Sequence, residues 1–183
     1  MRWPSFFRRL CPMLTFRAAT PADLPSLATF VNRAYRGDSA RKGWTHEADL
    51  LGGTRVDETL LAEQIATPNV TLIVSLENTE LVGCYHFERR GDGSAYVGMV
   101  TVDPDRQATG LGKQLLADAE VRARAAGASI LKLSVIADRK ELIAYYERRG
   151  FRATGVELPF HEGDERYGLP HKPLALLEMA KNL

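Results

Sequence analysis

At 183 residues the chain is long enough for one domain with a sizeable core. Its 24 Lys+Arg against 23 Asp+Glu leave a net charge of +1, without the basic excess that draws a protein to nucleic acid. No apolar run approaches the roughly 18 residues of a membrane span. Cys11 and Cys84 form no metal-like or redox-like pair and the histidines are scattered, so no metal is expected and a reducing cytoplasm is the natural setting.

In chain order, residues 1–12 mix arginine with aromatics and read as an N-terminal extension, and residues 13–183 read as one domain. Leu14–Thr20 alternates as a first strand. Thr20 then caps a helix with Pro21 at its first position and Leu24, Leu27, Phe30, Val31 and Ala34 at helical spacing. Residues 38–55 are polar and glycine-bearing and read mostly as loop, and residues 56–67 as a short helix with Leu60, Leu61 and Ile65 on its apolar side. Strands at 69–77 and 80–90 meet at the Asn78-Thr79 turn, and a third follows over 95–102. The next helix carries Leu111, Leu115, Leu116, Ala119, Ala123 and Ala126 on one side and ends at Gly127. A strand over 129–136, a helix closed by Gly150, a strand over 151–160, a polar loop and a last strand over 173–180 complete the chain. The order β-α-α-β-β-β-α-β-α-β-β predicts a single α/β domain of the α+β type, with helices around a mixed, largely antiparallel sheet. An unpaired final strand would suit a homodimer.

The glycines of Gln107-Ala108-Thr109-Gly110-Leu111-Gly112 stand between a strand and an amphipathic helix. A nucleoside-triphosphate loop needs its first glycine where Gln107 stands and a hydroxyl where Gln114 stands, and both fail. A dinucleotide fingerprint needs a third glycine where Leu115 stands, and parallel β-α-β units at the start of the chain, where three consecutive antiparallel strands stand instead. What remains is a turn before a helix N-terminus, whose unpaired N–H groups suit an anion. The glycines alone do not separate an anion site from a plain turn.

Gln-x-x-Gly-x-Gly after a strand ending in Val-Asp-Pro resembles the acyl-CoA signature of the GNAT superfamily of N-acetyltransferases. Tyr146-Glu147-Arg148-Arg149-Gly150-Phe151, one strand later, is similar to that superfamily's helix ending in Tyr-Glu-x-x-Gly-Phe. The element order agrees from Leu14 to the last strand. The resemblance implies splayed central strands that form a slot for the pantetheine of acetyl-CoA. In it the main chain of Val100, Thr101 and Val102 would pair with pantetheine. The amides of Gln107, Ala108, Thr109, Gly110, Leu111 and Gly112 would hold the pyrophosphate, with Lys113 and Arg106 nearby. The family often has basic residues where Ala108 and Thr109 stand, and an asparagine where Arg139 stands.

Tyr146 matches the position of the family's general acid, while Tyr145 lies about 100° round the helix. For the base the resemblance points to Glu47, where acceptor-binding segments fall, with Glu88 as the weaker candidate. The implied reaction is acetyl transfer from acetyl-CoA to a primary amine of a small molecule, by direct attack in a ternary complex. A protein or peptide N-acetyltransferase and a non-catalytic acyl-CoA sensor are the alternatives.

Overall fold

The structure is a computed structural model that describes residues 14–36, 40–43, 46–160 and 164–183; the expected extension at 1–12 lies outside them. β1 (Leu14–Ala18) leads through a 3₁₀ turn into α1 (Leu24–Tyr35), and β2 (Leu51–Gly52) precedes α2 (Glu58–Ala66). β3 (Val70–Glu77), β4 (Glu80–Arg89) and β5 (Ser94–Val102) follow one another, then α3 (Leu111–Ala125), β6 (Ile130–Ile136) and α4 (Lys140–Glu147). β7 (Arg152–Pro159), β8 (Leu169–Pro170) and β9 (Ala175–Asn182) close the chain.

Side-chain alternation along the strands sorts the core onto two faces of the sheet. Leu72, Val74 and Cys84 face α1 and α2 and pack with Leu27, Val31 and Leu61. Ile73, Tyr85, Phe87 and Val97 face the opposite way and pack with Leu115, Leu116 and Ala119 of α3. Phe151 and Met179 complete that second layer. The expected α/β fold, with α-helices around a mixed and mostly antiparallel sheet, is the one observed; among the described residues α1 to α4 are the helices of more than one turn.

The main sheet runs β1-β3-β4-β5-β6-β9-β7. Among the described residues its one parallel pair is the one that matters. β5 and β6 are joined only over Ser94–Tyr96 and Ile130–Lys132. Beyond Tyr96, β5 continues to Val102 and β6 to Ile136 without pairing, so the two strands part. On its other side β5 carries one extra residue against β4: Cys84 faces Thr101 while His86 faces Gly98. The bulge falls at Met99, whose φ of 48° lies in the left-handed region.

Two expectations need correction. The final strand is not unpaired: β9 sits between β6 and β7, so the reason given for a dimer is gone. Among the described residues β1 and β7 form the edges of the sheet instead. The segments read as loop around 51 and 169 contain short strands, β2 and β8, that pair with each other. Two-residue strands carry no alternation from which to predict them.

Candidate active site

The strand before the glycine loop ends in Val102-Asp103-Pro104, and Asp103 anchors that end. Its buried carboxylate accepts from Arg33 at 2.5 Å and from the Asp105 N–H at 3.0 Å. The loop then turns with Ala108 at φ 65° and Gly110 at φ 89°, and Thr109 Oγ1 donates to the Arg106 carbonyl at 2.7 Å. Gly110 faces open space, so its backbone angle is what calls for glycine. Gly112 is different. A Cβ there would lie 2.6 Å from the Tyr145 hydroxyl.

A cavity of about 230 Å³ lies against this loop. Val100 and Val102 of β5, the loop residues Gln107, Ala108, Gly110 and Gly112, and Lys113 line it from one side. Tyr145, Tyr146 and Arg149 line it from α4 and the turn after it. Arg149 lies over the Tyr145 ring, 3.3 Å from the centroid, and donates to the Tyr145 carbonyl at 2.9 Å. Its Nε is buried without a partner. Arg106 also reaches this cavity, but its guanidinium is taken by Glu77 and Glu80. The side chain of Thr101 turns away: its residue is buried and Oγ1 donates to the Met99 carbonyl at 2.9 Å.

Tyr146 is placed by the turn that closes α4. Gly150 takes φ 89°, which lets the Phe151 N–H reach back to the Tyr146 carbonyl at 3.2 Å. The Phe151 ring then meets Tyr146 edge-on at 5.9 Å. These two contacts are the physical content of the Tyr-Glu-x-x-Gly-Phe pattern. The Tyr146 hydroxyl makes no hydrogen bond to the described residues. Burial pushes its pKa up, with Tyr35 and Tyr145 adding to the rise.

Tyr146, Leu142 and Val100 are shared between the loop cavity and a second one of about 90 Å³ in the cleft between β5 and β6. Glu47, Arg55 and Arg139 bring charge to this central cavity. Glu47 is buried, and its Oε2 accepts from Arg36 at 2.5 Å. Tyr35 donates to the Val100 carbonyl at 2.9 Å, and burial pushes its pKa up to about 12. The central cavity in turn shares Arg55, Tyr96, Gly98 and Met99 with a third, of about 150 Å³, which His86 and Gln64 also line.

The structure thus brings together Tyr146, Glu47, Val100, Val102 and most of the loop residues named from the sequence. Glu88 is not brought there: it lines none of the three cavities and pairs with Arg90 at 3.3 Å. Tyr145, set aside in the sequence, lies directly on the glycine loop. Tyr35, Arg55, Tyr96 and Arg149 were missed. Arg149 follows Tyr145 by four residues, a spacing that could have paired them on one helical face.

The model for the acetyltransferase (GNAT) domain matches residues 45–164. The chain belongs to the GNAT family. It is 34% identical over 100 residues to a mycothiol acetyltransferase of Clavibacter michiganensis, covering 55% of this chain and 32% of the relative. It is 32% identical over 98 residues to an aminoalkylphosphonate N-acetyltransferase of Salmonella typhimurium, covering 51% and 64%. The chain therefore spans less than two thirds of the length of these relatives. Among solved structures, the Salmonella typhimurium protein yncA with its cofactor acetyl-CoA superposes with a TM-score of 0.63. The identity is 24%, covering 93% of this chain and 94% of the other, and it supports the shared fold.

Proposed function

We propose that this GNAT protein is an N-acetyltransferase that moves an acetyl group from acetyl-CoA to a primary amine of a small molecule, by direct attack in a ternary complex. The observation that carries the reading is the place of Tyr146, on a wall common to the loop cavity and the central cavity where β5 parts from β6.

The residues present fit the cofactor. The opened edge of β5 leaves room beside Val100, Thr101 and Val102 for a chain-like group, which pantetheine is. The amides from Gln107 to Gly112 and the start of α3 suit the pyrophosphate, with Lys113 and Arg149 as cations. Bound there, acetyl-CoA supplies an activated thioester. As the amine nitrogen forms its bond to the thioester carbon, the C–S bond breaks and the thiolate takes a proton. Tyr146 is the donor in this reading. Burial holds its hydroxyl protonated, which favours a hydrogen bond to the departing sulfur first and proton transfer late. A freed N–H of β5 near the bulge would steady the developing oxyanion.

Glu47 takes the amine proton, directly or through water, in this proposal. Its Oε1 makes no hydrogen bond to the described residues, whereas Oε2 is held by Arg36. The modest cavity volumes support a small acceptor over a peptide. We place the protein in the cytoplasm on the strength of the free, buried Cys84 thiol.

Acetyl-CoA binding and CoA release test the reading together. Acetyl-CoA at about 100 times its Kd should raise stability by roughly 2.7 kcal/mol. A screen of amines and peptides should release CoA thiol with small amines. No thermal shift sinks the cofactor assignment, and a shift without release from any acceptor makes the protein a sensor instead.

A further inference from the structure

Arg55 is held in place from two sides. Asn32 of α1 accepts from the Arg55 N–H at 2.6 Å and donates to the Val56 carbonyl at 2.8 Å, which fixes the backbone. The guanidinium then lies between two aromatic rings, 5.8 Å from the centroid of Tyr35 and 5.6 Å from that of Tyr167. Its side chain is only 14% exposed, yet it makes no hydrogen bond to the described residues. The carboxylate of Glu47 stands 3.9 Å away, beyond hydrogen-bond reach, and the same Oε2 is already bonded by Arg36 at 2.5 Å.

A guanidinium largely withdrawn from water, with one carboxylate at 3.9 Å and two aromatic rings beside it but no hydrogen bond to the described residues, keeps its N–H donors available to a ligand. It borders both the central cavity, which holds Tyr146, and the outer cavity. The outer cavity contains a second unmet group, the Gln64 Oε1, buried without a partner. Burial lowers the pKa of His86, which also lines that cavity. The place therefore offers one fixed planar cation and one orphan acceptor on the side of Tyr146 away from the glycine loop.

We propose that the acceptor is a small amine that also carries an acidic group, a carboxylate, phosphonate or phosphate, and that Arg55 binds this group. A guanidinium fork matches such oxygens two at a time, and the two tyrosine rings flank the fork. Gln64 Oε1 accepts an N–H or O–H of the same molecule. The inference rests on the acetyl-transfer reading, because it names the acceptor of that reaction.

The test compares amines in pairs that differ in the acid: O-phosphoethanolamine with ethanolamine, 2-aminoethylphosphonate with propylamine, and β-alanine with its amide. CoA release gives kcat/KM for each with the wild type, Arg55→Met and Arg55→Lys. The acidic member of at least one pair should be preferred at least about tenfold, and the pairs show which acid is read. Arg55→Met should lower kcat/KM for that acid by about 10- to 100-fold. The neutral partner, which shares any effect on Glu47 at 3.9 Å, should lose at least about tenfold less than the acid, and the calorimetric Kd of acetyl-CoA should stay within about twofold. Arg55→Lys should retain part of the preference, and it serves if the methionine variant does not fold.

Preference for the neutral members, an equal loss for both members in Arg55→Met, or no acetylation of any acidic member by protein that binds acetyl-CoA would each overturn the proposal. Failure to bind acetyl-CoA at all would instead refute the reading beneath it.

Discussion

Gly112→Ala should behave oppositely in two backgrounds that differ by one oxygen atom. The added Cβ would meet the Tyr145 hydroxyl at 2.6 Å, whereas its next contacts, the Tyr145 ring carbon Cζ and Val102 Cγ2, both lie at an ordinary 3.7 Å. Tyr145 cannot swing aside freely, because Arg149 covers its ring and Tyr146 meets it edge-on at 5.5 Å. Overpacking of this kind costs about 1–3 kcal/mol. The alanine returns at most about 1 kcal/mol of helix propensity, since Gly112 lies in the first turn of α3. The net expectation is a loss of about 1 kcal/mol, or a Tm lower by about 2–4 °C.

In a Tyr145→Phe background the oxygen is gone, and the same alanine should be neutral or stabilising by up to about 1 kcal/mol. Thermal unfolding of the wild type, both single variants and the double variant gives the coupling energy, expected at about 1–3 kcal/mol. Additivity within about 0.5 kcal/mol would refute the claim that this hydroxyl is what requires glycine at 112.

Tyr146→Phe should cut the rate by about 10²- to 10⁴-fold while the calorimetric Kd of acetyl-CoA holds. Burial raises the Tyr146 pKa, so its protonated donor form persists above the ordinary value of about 10. The penalty should thus be the same at pH 7 and pH 9.5 in initial-rate assays, and a penalty that shrinks at the higher pH would argue against the assignment. Arg36→Met removes the hydrogen-bonded partner of the buried Glu47, leaving Arg55 at 3.9 Å, and should cost up to about 3–5 kcal/mol in urea unfolding. Glu47→Gln in the same chain should recover most of that loss, and no recovery would show that Arg36 acts by packing alone. Arg149→Met should weaken CoA binding by about tenfold, read by calorimetry, and leave the phosphate-free fragment pantetheine unchanged. Equal loss for both ligands would make Arg149 a support for Tyr145 and nothing more.

Much of the architecture follows from local pattern. Leu27 and Val31 of α1, or Leu115 and Ala119 of α3, recur at helical spacing because one face of each helix must be buried, and the core clusters hold those same residues. The Gly110 and Gly150 turns were legible because each requires a left-handed backbone that other residues adopt at a cost. Gly150 and Phe151 are five residues or fewer from Tyr146, so the placement of that tyrosine is a local matter as well.

What spacing could not carry is contact between distant segments. Nothing in the pattern of α1 distinguishes Tyr35 from a core residue, and only the bend of β5 brings the Val100 carbonyl to its hydroxyl, 65 residues on. The path of β9 between β6 and β7 is likewise a choice among pairings that a single strand's alternation leaves equal. The acceptor side is the extreme case: Arg36, Glu47, Arg55 and Tyr167 come from four separate stretches of chain. The sequence by itself determined the helices, the glycine turns and the tyrosine between them. Only the tertiary structure decided which charges face that tyrosine, because a buried ion pair depends on distances between segments and not on their order along the chain.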